Sequence, residues 1–246
     1  MNKLSLPHLM GHRGAPSLAP ENTLAGFRAA YDAGARWTEA DVCVLGDGTP
    51  VMFHDSTLDR CTDRSGSVET LSASDLASVN ANRQFPDGPF ATIPRLDEAL
   101  DLFLELGMGL NLELKLHDHV APQALVDAVA SILRNQSFPL DQILLSSFDF
   151  DVLRATKTAL PEFPLAVIAD DFSPEVLDLA RELEADSLNL WWERLNYEQT
   201  QTALQAGFTV NVWTANDAAA VSSMLSWGVT GFMSDCPQTF GTEFRA

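Results

Sequence analysis

Leu110-Asn111-Leu112-Glu113-Leu114-Lys115-Leu116 alternates apolar and polar residues without a break. In an extended chain successive side chains point to opposite faces, so the leucines share one face and Asn111, Glu113 and Lys115 the other. In a half-exposed sheet the polar face would meet water. In a closed parallel barrel the leucines pack on surrounding helices, and the polar trio points into the lumen near the C-terminal mouth, where barrel active sites lie. Two further stretches repeat the theme. Trp37-Thr38-Glu39-Ala40-Asp41-Val42-Cys43 puts Glu39 and Asp41 on one face, and Phe208-Thr209-Val210-Asn211-Val212-Trp213-Thr214 does the same with Asn211 and Trp213. Three strands of this kind are hard to explain as solvated faces.

Outward from these strands, short apolar runs alternate with amphipathic stretches, the rhythm of a parallel sheet with crossover helices. Strands are expected over 8–14, 37–45, 51–54, 110–116, 142–148, 165–169, 187–191, 208–214 and 231–234. Helices are expected over 22–34, 96–106, 122–135, 150–160, 174–184, 197–206 and 217–227. Pro20 marks the start of the first helix, and Gly34 and Gly107 close the first two. With 51–54 counted as a hairpin-like continuation around Gly46-Asp47-Gly48, about eight strand–helix units remain, the number that closes a barrel. The 246 residues match the roughly 250 typical of that fold. The expected class is therefore α/β, a (β/α)8 TIM barrel forming one catalytic domain over 1–246. A small insertion over 56–94 follows the second strand region as an inserted subdomain. It is rich in Ser, Asp, Asn and Gly, with one short helical candidate at 72–79, and reads either as a functional element or as surface decoration.

Composition narrows the function classes. A formal net charge of −19 argues against nucleic acid and anionic membrane surfaces, both polyanions. Any phosphate site must then carry its own local positive charge. No apolar run approaches the roughly 20 residues that span a bilayer. The segment Met1-Asn2-Lys3-Leu4-Ser5-Leu6-Pro7 has neither a long apolar core nor a small-residue cleavage site, so no secretory leader is expected. Cys43, Cys61 and Cys236 are odd in number and lack metal-ligand spacing, which fits reduced structural thiols in a cytoplasmic protein.

Glu39, Asp41 and Glu113 would bring three carboxylates to one mouth. Like charges in a poorly solvated site either protonate or recruit a cation, and all-oxygen ligands select a hard ion such as Mg²⁺ or Ca²⁺. The competing reading makes them strand-end carboxylates paired with arginines. His12 and His54 end extended segments beside this cluster and suit acid–base work. His117 and His119 are expected to be solvated, and His8 to be structural. Arg13 and Lys115 supply positive charge that can grip phosphate oxygens. Trp213 reads equally as a flat wall for a small group or as barrel filling, and Trp191 and Trp192 as packing and rim. Glu21 and Asn22 read as helix-start residues.

Together the motifs Gly11-His12-Arg13-Gly14, Ala19-Pro20-Glu21-Asn22-Thr23, Glu39-x-Asp41-Val42, Asp47-Gly48-x-x-Val51-x-x-His54-Asp55 and Glu113-x-Lys115 resemble the glycerophosphodiester phosphodiesterase family in order and spacing. Ser146-Ser147-Phe148, Val212-Trp213-Thr214-x-Asn216, Trp227-Gly228-Val229 and Ser234-Asp235 extend the resemblance over nearly the whole chain. Each piece is weak alone; the joint pattern is specific, and in size it is similar to short cytosolic bacterial members. The resemblance implies hydrolysis of small glycerophosphodiesters to sn-glycerol 3-phosphate and an alcohol. It implies His12 and His54 as the acid–base pair, and Glu39, Asp41 and Glu113 as ligands of a divalent ion, Mg²⁺ or Ca²⁺. Arg13 and Lys115 would bind phosphate, and 56–94 would be the family's subdomain beside the mouth. A lysophospholipase D or phosphoinositide-type lipase on the same barrel, and a non-catalytic binding barrel, are the competing functions. The acidic charge disfavours a basic lipid-binding rim, and the presence of both histidines and all three carboxylates disfavours an inert barrel.

Overall fold

Strand pairing in the computed structural model, which describes residue 4 and residues 6–245, closes on itself. The reading of Met1, Asn2, Lys3 and Ser5 as free of a leader lies outside the described residues. β1 (Leu9–His12) leads through α1 (Leu24–Asp32) to β2 (Trp37–Val44), which turns back as the short antiparallel β3 (Pro50–Met52). After the insertion come α2 (Leu96–Leu106), β4 (Gly109–Leu114), α3 (Pro122–Gln136), β5 (Ile143–Ser147), α4 (Phe150–Ala159) and β6 (Leu165–Ala169). Then follow α5 (Pro174–Glu182), β7 (Ser187–Trp191), α6 (Tyr197–Gln205), β8 (Thr209–Trp213), α7 (Ala218–Trp227) and β9 (Gly231–Ser234). The parallel strands β1, β2 and β4 to β9 pair in sequence order, and β9 returns to β1: a closed eight-stranded TIM barrel. β3 lies outside the closed ring, on β2, through pairs such as Cys43↔Val51.

Local chemistry sets the element ends. Thr23 caps α1 by accepting the Gly26 N–H, and Asp149 caps α4 by accepting the N–H groups of Asp151 and Val152. α2 stops where Gly107 enters the left-handed region at φ 61°. The leucines of the opening motif behave as their alternation requires. Leu110, Leu112 and Leu114 are buried in the main apolar layer between strands and helices, each worth about 2 kcal/mol relative to exposure. A second cluster of Met10, Trp37, Leu144, Ala166 and Met233 fills the lower lumen. There the Trp37 ring occupies the space that a Cβ on Gly109 would need, so only glycine fits at the start of β4.

Two regions depart from regular strand–helix repetition. Within 72–79, in place of the expected helix, only the 3-10 turn Leu76–Ser78 forms; a second such turn, Val68–Thr70, precedes it. The chain is drawn out of the turn at Asn80, whose N–H donates to the Asp63 carboxylate and whose carbonyl accepts the Asp63 N–H. Such bonds compete with the backbone pattern of a helix. The insertion packs Leu58, Val68, Leu71, Leu76 and Val79 against Cys43, Val51 and Phe53 in an apolar cluster of its own. After β9, among the described residues, the turns Pro237–Thr239 and Thr242–Phe244 stand where an eighth helix would. Phe244 packs edge-on against both Phe232 and Phe240 and seals that gap. All three cysteines are free, with Cys43 and Cys61 buried.

Candidate active site

Register brings the polar residues to one level. His12 pairs in the ladder with Glu39, Glu39 with Asn111, and Asp41 with Glu113. Because residues two apart share a face, Glu39, Asp41 and Glu113 all turn inward at the C-terminal end. One carboxylate oxygen from each lies within 4.8 Å of the others. A cavity of about 350 Å³ opens above them; Arg13, Glu39, Glu113, Lys115 and Trp213 line it together with His12 and His54. Asp41 lies beneath, fully buried. The structure thus gathers all eight candidate residues around one mouth.

The three acids are not equivalent. Burial and the neighbouring charges of Asp41 and Glu113 push the Glu39 carboxyl well above its ordinary range. Burial also raises Glu113, to about 7, with Asp41 adding to the effect. Asp41 goes the other way: burial would raise it, but Arg13, Lys115 and His54 together hold it below its ordinary value. Lys115 Nζ donates to Glu113 Oε1 at 2.6 Å and lies 3.7 Å from Asp41 Oδ1. Glu39 Oε1 and Asp41 Oδ1 are buried with no hydrogen-bond partner. Bare, desolvated carboxylate oxygens are costly unless a cation or a proton meets them. The donor set is all oxygen, so the residues present fit a hard divalent cation.

The two histidines share one geometry. His12 Nδ1 lies 2.6 Å from Asp235 Oδ1, and His54 Nδ1 lies 2.6 Å from Asp55 Oδ1. A carboxylate on Nδ1 fixes the tautomer and leaves Nε2 as the free nitrogen of each ring. His12 Nε2 is 3.8 Å from Glu39 Oε2. Burial lowers the His54 pKa, an effect Asp41 partly offsets. Asp235 is held down despite its burial by His12 and by Asn216, whose Nδ2 donates to Asp235 Oδ2 at 2.7 Å. Burial opposes ionisation of Asp55 as well, yet Arg60 and His54 bring it to about 2.

Arg13 adopts φ 54°, its N–H donates to the Glu39 carbonyl at 2.7 Å, and its guanidinium reaches Glu21 and Asp41. Trp213 donates its indole N–H to the Asn189 carbonyl, stacks on Trp191 at 6.3 Å and meets the edge of Phe148 at 5.4 Å. Lys115 Nζ sits 5.3 Å from the Phe148 ring centre.

Several expectations need correction. Asn22 is not a simple helix-start residue: Thr23 is the cap, and Asn22 is buried with its amide on Asp41. Glu21 accepts from Arg13 and from Arg60 of the insertion. His117 is buried, not solvated, and its Nε2 donates to the His54 carbonyl at 3.1 Å. His119 is exposed as a residue, as expected, although its side chain is partly covered with Nε2 on the Val44 carbonyl. His8 is structural as expected, with Nδ1 on the Thr230 carbonyl. The sequence reading assigned no role to Asp55, Asp235, Arg60 or Phe148. An acid directly after His54 was a usable signal; Asp235 stood out only within the Ser234-Asp235 motif, and nothing local tied it to His12 across the whole chain.

The glycerophosphoryl diester phosphodiesterase family matches residues 12–239. A phosphodiesterase of Oleispira antarctica, solved in complex with the product sn-glycerol-3-phosphate, is 31% identical with a TM-score of 0.92, covering 98% of both chains. The glycerophosphodiester phosphodiesterase of Caldanaerobacter subterraneus subsp. tengcongensis is 28% identical over 94% of this chain and 95% of its own. That of Agrobacterium tumefaciens is 26% identical with a TM-score of 0.79, over 96% and 99% of the two chains. With the family's match running from the first catalytic candidate past the last barrel strand, this chain belongs to the glycerophosphoryl diester phosphodiesterase family of hydrolases.

Proposed function

We propose that this chain hydrolyses small glycerophosphodiesters to sn-glycerol 3-phosphate and an alcohol, using His12 and His54 as the acid–base pair beside a divalent ion. The observation that carries the reading is that both histidines, each held at Nδ1 by a carboxylate, line one cavity with Glu39, Glu113 and Lys115. Glu39, Asp41 and Glu113 would hold the ion, Mg²⁺ or Ca²⁺. When bound, it would neutralise charge on a phosphoryl oxygen.

The chain's own residues account for the rest. One histidine takes a proton through Nε2 from the attacking O–H group as the new P–O bond forms; if that group is a glycerol hydroxyl, water then opens the cyclic phosphate to glycerol 3-phosphate. The other gives its proton to the alkoxide released when the old P–O bond breaks. Asp235 and Asp55 hold the rings and favour the imidazolium each passes through. Arg13 and Lys115 hold the phosphoryl oxygens against the surrounding negative charge. Trp213, braced by Trp191 and Phe148, offers a flat wall to the three-carbon unit. The assigned partner is thus a small-molecule diester, with no nucleic acid and no membrane. No described helix is long and apolar enough to cross a bilayer. The free cysteines fit the reducing cytoplasm. We take 56–94 as a subdomain inserted in one catalytic domain over 1–246, a reading supported by its separate apolar cluster.

Release of glycerol 3-phosphate from glycerophosphocholine, followed with and without chelator, tests the proposal. Release that stops with chelator and returns with Mg²⁺ is the expected result. No release under any ion condition overturns it.

A further inference from the structure

Asn22 sits in the left-handed backbone region at φ 51°, where asparagine is better tolerated than most non-glycine residues. Its N–H donates to the carbonyl of Arg13 at 2.9 Å, and Arg13 is itself left-handed at φ 54°. The Asn22 side chain is buried, and both ends of its amide are used on one residue. Nδ2 donates to Asp41 Oδ2 at 2.8 Å, and Oδ1 accepts the Asp41 N–H at 3.1 Å. Arg13 Nε approaches the same Oδ2 at 3.2 Å. Asp41 Oδ2 therefore takes the Asn22 hydrogen bond and faces the Arg13 charge, while Oδ1 is buried without a hydrogen bond, 3.7 Å from Lys115 Nζ.

We infer that Asn22 is a positioning residue that locks the Asp41 carboxylate so that Oδ1 alone is offered to a hard divalent cation. The inference rests on the ion-site reading given under Proposed function. The residue type follows from the task. Aspartate would lack the donor that Oδ2 requires, and glycine would meet the backbone angle but carry no amide. Alanine would fail on both counts. An outer partner of this kind orients a ligand it does not replace, and its loss typically weakens metal affinity about 10–100-fold.

Asn22→Gly and Asn22→Ala separate side chain from backbone. Glycine accepts φ 51° freely, so the Gly variant keeps the local chain path and loses only the amide. Mg²⁺ is titrated by calorimetry into metal-free wild type and both variants, with thermal melts run alongside. The expected result is a loss of about 10–100-fold in Mg²⁺ affinity in both variants, with the Gly variant still folded. If Asn22→Gly binds Mg²⁺ as tightly as wild type and only Asn22→Ala is impaired, the role is one of backbone alone and the inference is overturned. A wild type that takes up neither Mg²⁺ nor, in a parallel titration, Ca²⁺ overturns the ion-site reading and this inference with it.

Discussion

Arg60, carried by the insertion, holds both oxygens of Asp55, the carboxylate on His54: Nε donates to Oδ2 at 2.7 Å and Nη2 to Oδ1 at 2.9 Å. The same guanidinium also binds Glu21. The insertion therefore reaches the cavity by a chain of polar contacts, through Asp55 to the His54 ring. Arg60→Ala should lower kcat by about tenfold, or 1.4 kcal/mol, with little change in KM, because Arg60 reaches the His54 ring through Asp55 and does not line the cavity. Steady-state kinetics on glycerophosphocholine would read this split. A variant that raised KM alone would place Arg60 in substrate binding instead.

His12→Ala and His54→Ala should each remove about 10²–10⁴ of turnover while leaving the far-ultraviolet circular dichroism unchanged. Each ring is more than half buried, yet neither belongs to the apolar layer that holds strands to helices. Near-normal kcat in either variant would remove that histidine from the reaction.

Excess EDTA should abolish turnover, and Mg²⁺ or Ca²⁺ should restore it better than Zn²⁺, since every donor in the Glu39, Asp41 and Glu113 group is an oxygen. Elemental analysis of the dialysed protein completes the test. Full activity with no bound metal would make the three carboxylates a structural ion-pair network with Arg13 and Lys115.

Asp55 should leave a mark on acid stability. Its carboxyl ionises at about 2 in the folded chain, against about 3.9 when unfolded. A depressed carboxylate contributes stability that is fully present above its unfolded value and is lost as pH falls through its folded value. The window runs from about pH 4 down to about pH 2, and the contribution is about 1–2 kcal/mol after allowing for the partly exposed Arg60. Thermal melts at stepped pH should show wild type losing more stability across this window than Asp55→Asn. Parallel loss in both proteins would mean that Asp55 is not held down by its partners.

The elements that were legible are those whose local pattern and burial agree. Strands 165–169, 187–191 and 231–234 form as the apolar runs predict, and α2 spans 96–106 with Gly107 after it. Lumen-facing residues were legible for the same reason: a polar side chain at every second position of an aliphatic strand has nowhere to point except a lined interior. What escaped depends on distant partners. Asn22 looks like a cap until Asp41 is brought against it, and His117 looks solvated until the His54 carbonyl arrives above it. In the insertion, pairing of Asn80 with Asp63 cut a weak helical signal down to one 3-10 turn.

The packed floor of the lumen, where Trp37 lies against Gly109 beneath Met10, Leu144 and Met233, makes the catalytic cavity a cul-de-sac. Whatever comes in by the mouth must go out by it. On the function proposed above, the two fragments of a cleaved diester would queue for one doorway, and the fragment held by Arg13 and Lys115 would bar the next arrival.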